Sequence, residues 1–230
     1  MRFILLLMFC VSIAFSQSND SQLAYQFYQA GEYDKAVEIY KELSKGYNFT
    51  QYYQPYFQSL IFVENFSESK KLVERMIKRN SHYLPYHVDL YMINKKLGED
   101  VKAENNFKKI SEKLNKQDDQ VIVVTNFFKK YSFYQEALDL FLLVEKNSEI
   151  NKTYPIQKAQ LYQLLSDDEM MINEYLKYLE KNPTQKITIL NYLQRYLDNN
   201  GIENENNFNY VKNGLFRFSQ KEKETYVFSE

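Results

Sequence analysis

One position returns along this chain every 33 or 34 residues, occupied in turn by Ala36, Ser69, Ala103, Ala137 and Met171. Four residues beyond each stand Tyr40, Val73, Phe107, Phe141 and Tyr175, and seven beyond stand Leu43, Met76, Ile110, Val144 and Tyr178. Offsets of four and seven fall on one face of an α-helix, so each anchor predicts a helix with one buried stripe. Three residues before the anchor, Tyr33, Phe66 and Tyr134 recur, and Gly31 and Gly98 sit five before it. A glycine there marks a turn between two helices. The pattern therefore predicts five helix–turn–helix units. Beyond Pro183 it weakens: Ile187 to Leu197 reads as an amphipathic helix, Asn199 to Asn207 as a polar connection, and Phe208 to Phe218 as a last helix. Glu224 to Phe228 reads as the start of another.

The unit length, with a small residue followed by an aromatic one four later, resembles the tetratricopeptide repeat (TPR). Pro183, twelve residues past the fifth anchor, matches that family's inter-repeat proline, and Ala24 and Ala159, twelve before theirs, match its small packing residue. The resemblance covers roughly Asp20 to Pro183. It implies an all-α, right-handed α-solenoid, with five repeats in residues 17–183 and C-terminal helices in 184–230 forming a divergent repeat or cap. Phe57 and Tyr91 stand where the family packs a small residue, Met171 replaces an anchor alanine, and Ser81 and Glu149 replace prolines. Altered packing angles are expected in repeats two, three and five.

A two-helix unit cannot bury its apolar face alone, so such units stack and leave an extended surface suited to a peptide strand or helix. The resemblance places the first helices on the concave side. The partner-binding residues it implies are Tyr25 and Tyr28, Gln58 and Phe62, Met92, Lys95 and Lys96, Asn126, Lys129 and Lys130, and Gln160 and Gln163. This face would be aromatic at one end and basic in its middle, because Lys95–Lys96 and Lys129–Lys130 are one repeat apart. The expected partner is a protein or peptide offering an aromatic or Leu-type anchor and an acidic segment or terminal carboxylate. The family's chaperone-binding carboxylate clamp is not expected, since Ser21 and Tyr25 occupy its first-repeat positions.

Composition supports the helical reading. Glycine (5) and proline (4) are too scarce among 230 residues for a turn-rich β or α/β fold. A net charge of −1 with interspersed signs lacks the footprint of a nucleic-acid binder. His82 and His87 are five apart, not the four of a helical metal pair. Phosphate-loop, nucleophile-elbow and dinucleotide glycine motifs are missing, and Asp167-Asp168-Glu169 falls where a helix start favours acids. No cofactor, metal or catalytic residue is expected.

The N-terminus carries an address. Arg2 precedes an apolar run from Phe3 to Phe15 broken only by Ser12, and Ala14-Phe15-Ser16 places small residues at −3 and −1 of a cleavage site before Gln17. The run is shorter than the roughly 20 residues a spanning helix needs. Residues 1–16 are thus read as a signal peptide for the Sec route, leading to the periplasm or outer-membrane periphery with no membrane span after cleavage. Cys10, the one cysteine, lies inside that run; bacterial lipoproteins place a small residue before theirs, and here Met8-Phe9 stand instead. The expected function is a non-enzymatic protein-binding scaffold of the cell envelope. The alternatives are a docking or regulatory N-terminal part of a larger envelope protein, and a solute-binding component.

Overall fold

The computed structural model describes residues 19–46, 49–116, 119–147, 152–200 and 205–227. Residues 1–16, read from the sequence as a signal peptide, and Cys10 among them lie outside these. The described residues form twelve α-helices and two short 3-10 turns, with no strand. In chain order they are α1 (residues 19–29), α2 (Tyr33–Leu43), α3 (Tyr53–Phe62), α4 (Phe66–Arg79), α5 (Pro85–Lys96) and α6 (Asp100–Leu114). Then follow α7 (Val121–Lys130), α8 (Tyr134–Lys146), α9 (Pro155–Leu164), α10 (Asp168–Lys181), α11 (Lys186–Asn200) and α12 (Glu205–Val227).

The repeat is written in the backbone. Residues with positive φ fall at Gly31 (76°), Glu64 (54°), Gly98 (70°), Ser132 (62°) and Ser166 (59°), each five before its anchor. At each, two hydrogen bonds close the first helix of a pair. Gly31 N–H donates to the Tyr28 carbonyl at 3.2 Å, and Glu32 N–H to the Phe27 carbonyl at 2.9 Å. The same two bonds recur from Glu64 and Asn65, Gly98 and Glu99, Ser132 and Phe133, and Ser166 and Asp167. This is the Schellman closure, in which a left-handed residue satisfies the last carbonyls of a helix. The residue after it starts the next helix. Asn65 and Asp167 also cap it, their side chains accepting from Glu68 N–H (3.2 Å) and Met170 N–H (3.1 Å). Capping thus accounts for Asp167.

Three of the five left-handed positions are not glycine, which costs free energy that glycine avoids. Ser132→Gly is expected to stabilise the chain by roughly 0.5–1 kcal/mol. It should raise the thermal midpoint by a few degrees, whereas Gly31→Ala should lower it.

All five anchors are fully buried at 0% exposure, so the periodic position is the packing centre of each hairpin. Ala24, Phe57, Tyr91, Thr125 and Ala159 are also buried, so the bulky rings are taken into the core where small residues were expected. The chain divides into two compact units, Met1–Ile110 and Ser111–Glu230. In the first, α2 packs on α3, α3 on α4 and α4 on α5. Arg75 and Arg79 of α4 lie over the ring of Phe49, at 3.6 and 4.9 Å from its centroid, and so fasten the turn before α3. In the second unit, α7 packs on α8, α8 on α9, α9 on α10, and α10 on both α11 and α12. Gly214 lets α12 approach closely: a Cβ there would lie 2.7 Å from Ile172 Cγ2. The tail corrects one expectation. Glu224 to Val227 begin no new helix; they continue α12.

Candidate partner-binding site

The first unit gathers the aromatic residues of the expected site. Tyr25 and Tyr28, one turn apart on α1, have ring centroids 6.1 Å apart. Tyr28 meets Tyr33 at 6.0 Å edge-on, and Tyr33 stacks on Phe62 at 4.2 Å with 11° between the planes. Tyr28 donates its hydroxyl hydrogen bond to Gln58 Oε1, tying α1 to α3. Burial first, then neighbouring Tyr33 and Tyr25, pushes the Tyr28 hydroxyl above its ordinary pKa. Tyr25 is 53% and Phe62 59% exposed. A strip of rings is therefore fixed in relative position while its two ends face solvent.

The strip runs into an open depression of about 620 Å³ between the turn after α1 and the end of α3. Glu32, Tyr33, Asp34, Lys35, Phe62 and Glu64 line it. Lys35 is paired with Glu32 and lies 5.1 Å from the Phe27 centroid.

The remaining expected residues divide. Met92 is 3% exposed and belongs to the core, which corrects its assignment to a binding face: α5 is buried almost all round, with Val88, Tyr91 and Ile93 equally enclosed. Lys95 and Lys96 end α5, but the Lys95 ammonium is ion-paired with Asp100 at 2.5 Å, so part of the expected positive charge is compensated. In the second unit Asn126 and Gln163 are exposed and Gln160 half-buried. Lys129 and Lys130 end α7, with Lys130 Nζ 5.8 Å from the Phe127 centroid and 5.4 Å from that of Tyr131.

Two features escape the sequence reading. Tyr33 shares its repeat position with Phe66 and Tyr134, so periodicity marks it for packing and hides its place in the strip. The other is a buried ionic cluster. Lys158 Nζ of α9 lies 2.6 Å from Glu145 of α8 and 3.0 Å from Glu174 of α10. Lys177 reaches Glu174 at 2.8 Å, and Glu145 also accepts the Tyr154 N–H at 2.7 Å. Paired in this way, the charges join three helices. Among the described residues no group of His, Cys, Asp or Glu side chains is arranged to hold a metal ion.

No family model matches the chain, and no curated protein matches it. Among solved structures it is similar to TTC0263, a thermophilic TPR protein of Thermus thermophilus. The identity is 15%, over 79% of this chain and 99% of that one, with a TM-score of 0.42. Two chains named MamA are also similar. The MSR-1 chain is 13% identical over 69% of this chain and 92% of its own, with a TM-score of 0.34. The AMB-1 chain is 12% identical over 74% and 94%, with a TM-score of 0.38. The deciding observation lies within the chain itself: five helix pairs with buried anchors 33 or 34 residues apart, each closed by the same left-handed turn. The repeats are TPR-like. In such TPR-like hairpins Tyr25, Tyr28, Gln58 and Phe62 all stand on first helices, α1 and α3, and Tyr33 joins them from the start of α2. No described helix is long and apolar enough to cross a membrane.

Proposed function

We propose that this chain is a non-enzymatic scaffold that captures a segment of another protein on its first helices, with the Tyr25–Tyr28–Tyr33–Phe62 strip as anchor. The observation that carries this reading is that the rings are fixed against one another yet remain more than half exposed at both ends. Rigid aromatic groups lose little side-chain entropy on binding, and such residues dominate interface energetics. Within the second unit, Lys129 and Lys130 would meet an acidic stretch of a partner, adding rate and specificity more than affinity. Arg2, the apolar run Phe3 to Phe15 and the small residues Ala14 and Ser16 support export by the Sec route, with the partner a component of the cell envelope.

Capture from cell-envelope extract tests this. The wild-type chain is compared with Tyr25→Ser/Phe62→Ser and with Lys95→Glu/Lys96→Glu/Lys129→Glu/Lys130→Glu, each confirmed helical by circular dichroism. One dominant protein held by the wild type and lost from the aromatic variant is expected, with weaker and more salt-sensitive capture by the lysine variant. Equal capture by all three would place the binding face elsewhere, and no capture by any would overturn the scaffold reading.

A further inference from the structure

Carboxylates surround the inner end of the aromatic strip. Glu32, Asp34 and Glu64 line the depression against one ammonium, that of Lys35, which is already paired with Glu32. Asp34 and Glu64 are both exposed and have no cationic partner among the described residues. The stacked Tyr33–Phe62 pair forms the apolar wall of the same depression, and 59% of Phe62 stays open. An aromatic face beside uncompensated carboxylates attracts a cation on a hydrocarbon stem: the ring quadrupole and the carboxylates both favour the charge, and the ring packs against the methylenes. A carboxylate or phosphate brought here would face like charge, so an acidic segment is disfavoured at this end.

We infer that the depression between Gly31–Lys35 and Phe62–Glu64 receives an arginine or lysine side chain of the bound protein segment, held between the Phe62 ring and the carboxylates of Asp34 and Glu64. The inference rests on the reading of the aromatic strip as a partner site and adds the chemistry of the residue it takes. This basic anchor is distinct from any acidic stretch met by the lysines that end α7, which lie in the other unit. Arginine is the better fit, because its planar guanidinium can stack on Phe62 while donating to Asp34 or Glu64.

A random peptide library displayed on phage, panned on the immobilised full-length chain, tests the inference. The wild type is run beside Asp34→Asn/Glu64→Gln, which removes the charge at constant shape, and beside Phe62→Ser. Enrichment of one basic position next to an apolar residue is expected for the wild type. For the carboxamide variant that basic position should disappear while the apolar one persists. A synthetic wild-type-selected peptide should bind that variant about five- to tenfold more weakly, the loss of two exposed charge contacts. Peptides selected without a basic position, or affinity unchanged in the carboxamide variant, would overturn the inference and leave the aromatic site standing. Selection of the same sequences by wild type and Phe62→Ser, or none by either, would overturn the aromatic site together with the inference.

Discussion

Replacing Lys158 with alanine is expected to destabilise the second unit by about 3–5 kcal/mol, because removal of one member leaves buried charges uncompensated. The Lys158 side chain is 7% exposed, and those of its partners Glu174 and Glu145 are 3% and 15%. Once the ammonium is gone, Glu174 keeps Lys177 and Glu145 keeps the Tyr154 N–H. Neither contact replaces the link between α8, α9 and α10. The thermal midpoint should fall by on the order of 10 °C. Lys158→Met with Glu145→Gln and Glu174→Gln should recover much of the loss, since a neutral cluster of similar volume carries no unpaired charge. If Lys158→Ala melts like the wild type, the cluster contributes nothing and the three helices are held by apolar packing alone.

The second large effect is alkaline unfolding. Tyr40, Tyr56 and Tyr175 are 1–3% exposed, and each has its hydroxyl pKa pushed up to about 12, first by burial and then by neighbouring groups. In the unfolded chain a tyrosine ionises near 10. A folded value above the unfolded one means that the protonated state favours the fold. Its contribution is therefore complete below about pH 10 and is lost as pH rises toward 12. Lys158 acts in the same direction: burial opposes its charge, but the hydrogen bonds and charges of Glu145 and Glu174 outweigh that and hold its pKa above the ordinary lysine value. Helicity at 222 nm should therefore be lost in one cooperative step between pH 10 and 12, and the part of the tyrosinate absorbance at 295 nm that comes from the buried rings should rise in that same step. Helicity unchanged up to pH 12 would contradict this. Tyr56 gives a sign-specific check. Its buried hydroxyl has no hydrogen-bond partner among the described residues, so Tyr56→Phe should be close to neutral at pH 7 and stabilising at pH 11.

Sequence and structure agree most closely where the chain repeats itself. The anchors Ala36 to Met171 mark the packing centres because each hairpin must bury the same stripe at the same place, and a period of 33 or 34 survives changes of side chain. Glycine at positions 31 and 98 exposes the turn; Glu64, Ser132 and Ser166 conceal the same conformation behind residues that do not ordinarily favour it. For the proposed site, the exposure of its residues was legible in part. Tyr25 and Phe62 stand at repeat positions that face outward, and they do so in the structure. Met92 shows the limit: its register is right, but α5 is enclosed on nearly every side, and burial depends on neighbours that no local pattern names. Lys158 shows the converse. A lysine on an amphipathic helix reads as solvated, and only α8 and α10, 13 and 16 residues away in sequence, supply the carboxylates that bury it.

The central claim is that the exposed aromatic strip of α1 to α3 is where another protein binds. A photoreactive phenylalanine analogue installed at position 62 of the full-length chain in living cells tests it most directly, beside the same group at position 71, an exposed site on α4. One strong crosslinked species from position 62, absent from position 71 and weakened by Tyr25→Ser, is the result this account predicts. Equal crosslinking from both positions, or none from position 62 while the chain is folded and abundant, would contradict it.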